Sequence, residues 1–278
     1  VLAAKEISVT KVAKLVFVTT LAITVLTIML WQLGIANEPI MPDTDYRARS
    51  TFGFSHPNTL GLVFFLIAFS YSVMHFGRLP LTESALCLLA FFICAEIADS
   101  RTYALVTVLW LIFLWIYHLF GSSKGFSKFL PVVLFVTFMG LYGISMFLMV
   151  NYDSGNSFQS SINSLLSGRL RLMHAYYLES PFSLFGFDYQ GSPPQYSGTV
   201  PYAFLVDNAY GYIYLRFGIS GALLILIGML CFIRRSFKEQ YSGVLLYGLL
   251  FFSLIAFVEG SAYQIASNFF ILAFSALS

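Results

Sequence analysis

The chain has 278 residues, of which 58% are hydrophobic and 10% charged, and its mean hydropathy is +0.80. Soluble domains carry about 25% charged residues, so this composition excludes a soluble globular protein. A β-barrel would alternate in short segments of about ten residues; here the apolar runs are long and unbroken, and the expected fold class is all-α, a polytopic transmembrane helical bundle. The net charge of +2 says little, because in membrane proteins the placement of charge matters more than its sum. Cys87, Cys94 and Cys231 all lie in apolar runs, and the first two share one predicted helix, where they cannot pair without unwinding it. The chain starts at Val1 and shows no cleavable signal pattern, from which an N-terminally truncated or partial chain is expected.

A helix needs about 20 apolar residues to cross a hydrocarbon layer of roughly 30 Å. Eight segments approach that length: Leu15–Ile35, Pro57–Phe76, Leu81–Ala98, Thr102–Phe120, Phe129–Val150, Ala209–Ile233, Tyr241–Val258 and Ala262–Leu277. Together they predict a single integral membrane domain over residues 1–278, interrupted by one long polar loop over residues 151–206. Alternating the spans puts Lys5, Lys11, Lys14, Arg78, Lys124, Lys128, Arg234, Arg235 and Lys238 on one side. The positive-inside rule makes that side cytoplasmic and the long loop external.

All six lysines fall on the cytoplasmic side, whereas Arg47, Arg49, Arg101, Arg169, Arg171 and Arg216 are external or in the outer part of a span. Topology signals use either residue, so they do not require this split. Arginine grips phosphate through a planar fork and keeps its charge, so an external arginine set points to a phosphate-bearing ligand. The plainer alternative is pairing with the external acids Asp43, Asp45, Asp99, Asp153, Glu179, Asp188 and Asp207.

Four stretches gather residues that can carry chemistry. The first runs from Arg47 to Gly61 and includes Arg49, His56, Pro57 and Asn58; unpaired N–H groups at the start of its helix would favour an anion, with capping as the alternative role of His56 and Asn58. The second is the short turn from Ala98 to Thr102, which places Arg101 at the mouth of the bundle, open to pairing with Asp99 or with a Glu96 that is expected to face the bundle interior. The third, Asn163–Ser180, spaces Leu165, Leu166, Leu170, Met173 and Tyr177 along one side, as in an amphipathic helix lying on the membrane. Its Ser167-Gly168-Arg169 start could also offer N–H groups to an anion. The fourth runs from Val206 to Gly221: Asp207 either caps the helix or acts as a general base on a hydroxyl, and Arg216, further in, must pair or line a cavity. Four scattered histidines give no metal-ligand spacing, no P-loop is present, and Asp43-Thr44-Asp45 is read as ordinary loop carboxylates. No metal and no cofactor are expected.

The order Arg49, then Gly53-Phe54-Ser55-His56-Pro57-Asn58-Thr59-Leu60-Gly61, then Ser100-Arg101 opening a span, resembles the O-antigen ligase and polysaccharide polymerase superfamily. The long loop with Ser167-Gly168-Arg169, the polar start at Asp207-Asn208 and Gly218-Ile219-Ser220-Gly221 are similar to the same family, so the resemblance covers about Arg47 to Gly221. It is closest to a Wzy-type polymerase of capsule or exopolysaccharide repeat units. Ligases of the superfamily commonly have His-Asn where this chain has Asp207-Asn208, which lowers the ligase reading and leaves the base unassigned. Members usually have around ten to twelve spans, so the resemblance implies upstream helices beyond the eight expected here.

The resemblance implies metal-independent glycosyl transfer at the outer face of a bacterial cytoplasmic membrane. The donor would be a glycan on undecaprenyl diphosphate and the acceptor the sugar end of a second lipid-linked unit. Arg101 and Arg169, then Arg49 and Arg171, would stabilise the departing diphosphate. Asp207 would serve as hydroxyl-orienting residue or base, with His56, Asn58, Asn208, Tyr210 and Arg216 as substrate-side contacts and the long loop as a cover. The lipid bilayer, a flippase and a chain-length regulator are the implied partners; nucleic acid is not. The alternatives are a ligase moving a finished glycan and a transporter or flippase of lipid-linked sugars. No second copy of the arginine–glycine stretch or the long loop supports the internal repeat that transporters favour.

Overall fold

The computed structural model describes residues 8–37, 50–121, 123–166, 168–179, 181, 183–187, 206–236 and 243–260. Arg47, Arg49, Asp43, Asp45, Ser167, Asp188 and the predicted eighth span Ala262–Leu277 lie outside them. The described residues are all-helical, and five helices are long and apolar enough to cross a membrane. The chain divides into two compact units, Glu6–Ser127 and Lys128–Ser278.

The first unit contains α1 (Val9–Gln32), α2 (Pro57–Met74), α3 (Leu81–Phe92) and α4 (Arg101–Phe120). Helix α2 touches the other three, because it is apolar all round and carries Gly61, Ala68, Ser70 and Ser72, small residues that let neighbouring backbones approach. The serine hydroxyls do not add unsatisfied polarity: Ser72 Oγ donates to Ala68 O at 2.7 Å and Ser70 Oγ to Leu66 O at 2.5 Å. Phe65, Phe69 and Trp110 fill the centre, with the Phe69 and Trp110 rings edge-to-face at 4.5 Å. Helix α1 instead leaves Leu15, Val18, Ile23, Leu26 and Met29 exposed, as a lipid-facing helix does.

The span expected over Leu81–Ala98 is shorter and irregular. Its α-helical part ends at Phe92 and a π-helical segment, Ile93–Ile97, follows. The wider turn lets Ala98 N donate to Ile93 O at 2.9 Å and Ser100 N to Cys94 O at 2.7 Å. A π-turn of this kind re-aims the chain, and here it brings Ser100 against α2.

The second unit contains α5 (Lys124–Asn151, its first turn belonging to the first unit), α6 (Ser157–Leu165), α7 (Arg169–Glu179), α8 (Ala209–Ser236) and α9 (Gly243–Ile255). The predicted span Tyr241–Val258 thus yields a helix of 13 residues, ended by turns at Ala256, Phe257 and Val258.

The amphipathic helix expected over Asn163–Ser180 is two helices. Gly168, at φ 84°, breaks it, and Leu165 is exposed rather than aligned with the apolar side. The apolar face of α7 does not lie on a membrane surface either. Leu170, Met173, Tyr176 and Tyr177 are buried with Leu148, Met149 and Tyr152 at the end of α5 and Leu215 of α8. Close packing inside protein uses the same apolar stripe that a lipid surface would, so periodicity alone could not separate the two.

Helix α8 is interrupted at Gly218, whose φ of 67° and ψ of −164° fall in a region that only glycine occupies without strain. Residues 183–187 fill the break. Ile219 N donates to Ser183 O and Ser220 N to Leu184 O, both at 3.0 Å, while Phe187 N donates to Leu215 O at 3.1 Å. The backbones come so close that a Cβ on Gly186 would sit 2.2 Å from Arg216 O, and one on Gly218 2.3 Å from Gly186 N. This described part of the long loop is fastened to α8, which a hinged cover would not be.

Candidate functional site

In the first unit the sequence motifs meet where α2 and α4 begin. Ser100 Oγ donates to Asn58 Oδ1 at 3.0 Å, and Gly61 lies so close that a Cβ there would be 3.0 Å from Ser100 Cβ. His56 caps α2: its Nδ1 accepts from Asn58 N at 3.0 Å, and its carbonyl accepts from Thr59 N at 2.9 Å and Leu60 N at 3.2 Å. With Pro57 lacking an N–H, the first turn has no orphan donor in residues 57–60, and the expectation of an anion site there is corrected. His56 and Asn58 have capping and bracing roles.

Arg101, the first residue of α4, is exposed. The alternative pairs are absent: no ion pair joins Arg101 to Asp99 or Glu96 among the described residues. Glu96 is exposed and does not face the bundle interior, because the π-turn rotates it outward. Asp99 takes a left-handed backbone at φ 43°, which aspartate tolerates better than most residues, and so the chain reverses into α4.

In the second unit two other chain segments converge on Arg169. Its Nε lies 2.9 Å from Asp207 Oδ2, its Nη1 donates to Val258 O at 2.5 Å, and Glu259 Oε1 is 3.6 Å from Nη1. The last distance is an ion pair rather than a hydrogen bond. The Arg169 and Glu259 side chains are 19% and 8% exposed and that of Asp207 is 41% exposed. One guanidinium is therefore held between a buried carboxylate and one that water reaches.

The surrounding polar groups hold these segments in register. Asn208 Nδ2 donates to Ser145 Oγ and to Phe257 O, both at 2.9 Å, and its Oδ1 accepts from Gly211 N at 2.8 Å. Asn208 is thus the N-cap of α8 and a brace to α5 and the turn after α9, with its amide engaged at both ends. Tyr210 is buried, donates its hydroxyl to Ser253 O at 2.7 Å and meets Phe138 and Tyr142 edge-on. Ala209 N donates to Ala256 O at 2.8 Å. These two predicted substrate contacts are placed as supports of the Arg169 centre.

At the start of α7, Gly168 N donates to Asn163 O at 2.8 Å, Arg169 N to Leu166 O at 3.2 Å and Arg171 N to Asn163 Oδ1 at 3.0 Å. The Gly168 and Arg169 N–H groups of the expected anion site are thus engaged within the chain, while Ser167 lies outside the described residues. Arg171 is exposed, Arg216 is half-buried, and both have partners of their own. The N–H groups that open the second half of α8 are used by Ser183 and Leu184, so the broken helix does not present them to a ligand.

Glu259 and Ser145 were not singled out from the sequence. A glutamate directly after an apolar run is a signal that could have flagged Glu259, since an acid at a bundle end needs a cation or water. Nothing local marks Ser145, a serine inside the long apolar run Phe129–Val150.

Asn208→Ala is expected to cost about 2–3 kcal/mol, as it removes a helix cap and strands buried Ser145 and Phe257 acceptor groups. Asn208→Asp keeps the cap but sets a buried carboxylate oxygen against the Phe257 carbonyl where a donor stood, so it should be no milder than alanine in thermal denaturation followed by size-exclusion.

Comparison of the chain with protein-family models, curated proteins and solved structures found no match.

Proposed function

We propose that the protein polymerises lipid-linked oligosaccharide repeat units, transferring a glycan from undecaprenyl diphosphate in a bacterial cytoplasmic membrane for capsule or exopolysaccharide synthesis. The observation that carries the reading is the 2.9 Å contact between Arg169 and Asp207. It joins, at the end of apolar helices, the residue types needed to hold a leaving diphosphate and to orient an attacking hydroxyl.

In the reaction, the bond between the donor's anomeric carbon and the diphosphate oxygen breaks as the acceptor hydroxyl oxygen bonds to that carbon. The hydroxyl proton passes to Asp207, whose side chain is the more exposed of the two carboxylates. The contacts described for Arg169 use Nε and Nη1, so Nη2 supplies the donors for a phosphate oxygen. Arg101, exposed at the start of α4, is by the same reading a phosphate-binding cation of the first unit; Arg49 and Arg171 are auxiliary. The sugar–diphosphate bond carries the energy, so no nucleotide enters.

The test is reconstitution of the protein with lipid-linked repeat units, product length being scored on a gel. A ladder is the expected result; transfer of one block to a different acceptor would replace polymerase by ligase. Arg101→Ala is expected to shorten or abolish the ladder, and Arg101→Lys to restore it only in part, because lysine keeps the charge but lacks the fork. Full activity in Asp207→Asn would remove the proton-accepting role.

A further inference from the structure

We infer that residues 183–187 form a membrane-embedded wedge, locked into the break of α8 and presenting Leu184, Phe185 and Phe187 to bilayer acyl chains.

The hydrogen bonds fix where the segment lies along α8. Pro181 O accepts from Tyr214 Oη at 2.9 Å, Phe187 is bonded to Leu215, and Ser183 and Leu184 are bonded to Ile219 and Ser220. The depth of those partners follows from the helix itself. Helix α8 ends in Arg234 and Arg235, which belong at a membrane–water boundary. A hydrocarbon layer takes about 20 helical residues, and counting that many back from Ile233 reaches Tyr214. The wedge therefore sits just inside the apolar layer at the end where α8 begins.

Its side chains suit that level. Leu184, Phe185 and Phe187 are 57%, 77% and 48% exposed, and Phe217 beside the break is 50% exposed. In water this would be a run of large uncovered hydrophobic groups within five residues. Leu223, Leu224 and Ile227, further along the same helix, are exposed in the same way, so the wedge extends an apolar surface that α8 already offers to lipid.

Irregular backbone enters hydrocarbon only when its polar groups are satisfied by protein. Here the carbonyls of Ser183 and Leu184 and the N–H of Phe187 are bonded to α8, and Ser183 Oγ donates to Gly186 O at 2.7 Å. The relation is mutual: the break in α8 would otherwise leave its own N–H and C=O groups without partners in lipid. The half-buried Arg216 lies at the same level, where a long cationic side chain reaches the headgroups while its stem stays apolar. The inference is independent of the proposed glycosyl transfer.

The experiment places a bimane label at Phe185→Cys in the full chain. The background is Cys231→Ser, since Cys231 is exposed while Cys87 and Cys94 are buried. The protein is reconstituted in phosphatidylethanolamine–phosphatidylglycerol vesicles containing phosphatidylcholine with a nitroxide high on its acyl chain. Leu224→Cys serves as the lipid reference and Ser154→Cys, in an exposed polar turn, as the aqueous one. Bimane at 185 is expected to lose most of its emission to the lipid nitroxide and almost none to aqueous iodide, as at 224. Iodide quenching equal to that at 154 would overturn the inference, as would protection from both quenchers, which would mean that protein covers the wedge. If Phe185→Cys does not elute as a single species, Phe187→Cys is read against the same references.

Discussion

Gly218→Ala is expected to be the most disruptive single substitution in the second unit. The new Cβ would lie 2.3 Å from Gly186 N and 2.5 Å from Ser183 O, both backbone atoms that cannot swing aside. The φ/ψ pair at this position costs a non-glycine residue about 1–3 kcal/mol before any clash. Moving residues 183–187 away would break the hydrogen bonds to Ile219, Ser220 and Leu215, each worth about 1 kcal/mol net and more where water cannot replace them. The total is of the order of the whole stability of a small domain, about 5–15 kcal/mol. Loss of monodisperse protein in size-exclusion is the expected outcome, and Gly186→Ala should behave alike because its Cβ would meet Arg216 O at 2.2 Å. Gly143→Ala in α5 is the matched control. Its Cβ meets nothing within 4 Å, and alanine is the better helix former, so it should be neutral or slightly stabilising. A Gly218→Ala protein as stable as this control would show that the wedge is not locked into the break.

Arg169→Ala is expected to lower stability by about 2–4 kcal/mol, because Glu259 loses its cation in a buried place and Val258 O loses its donor. The Asp207 contact adds little to that sum: its carboxylate is 41% exposed, and water-screened pairs are worth about 0–1 kcal/mol. Arg169→Lys should lie between, since one ammonium cannot serve Asp207, Val258 and Glu259 with the geometry of the fork. Adding Glu259→Gln to Arg169→Ala should recover part of the loss, as the buried charge that faced Arg169 is then gone. Thermal midpoints of the four proteins in detergent test this order; equal midpoints for wild type and Arg169→Ala would contradict it. Arg101 separates function from stability. Exposed and without an ion pair among the described residues, it can be replaced by alanine with little effect on the midpoint, so a lost ladder in Arg101→Ala reports on chemistry alone.

The apolar runs that predicted spans at Pro57–Phe76, Thr102–Phe120, Phe129–Val150 and Ala209–Ile233 correspond to α2, α4, α5 and α8 within a few residues at most ends. Burial in lipid or in protein needs the same composition, so such runs are easily seen. The shorter segments were less legible. Nothing in Leu81–Ala98 announces a π-turn, and Tyr241–Val258 is apolar throughout although its helix ends at Ile255. The Asn163–Ser180 pattern overlooked Gly168, whose positive φ divides α6 from α7.

The candidate site shows the same division. Arg169 and Asp207 stand out as charges beside apolar segments, but their pairing depends on how α7 and α8 pack around Met173, Tyr177 and Leu215. Asn208 and Tyr210 carry polar groups suited to a sugar, yet the neighbouring Ser145, Phe257 and Ser253 use them internally. His56 was legible as a cap because the capping bond spans only two residues.

Composition and run length alone determined the helical class and the apolar helices, since both depend on transfer free energy residue by residue. The tertiary structure alone decided that Arg169 meets both Asp207 and Glu259, that Asn208 is a brace, and that residues 183–187 fill the break at Gly218. Those outcomes depend on hydrogen bonds and close backbone contacts between segments far apart in the chain, which no local pattern encodes.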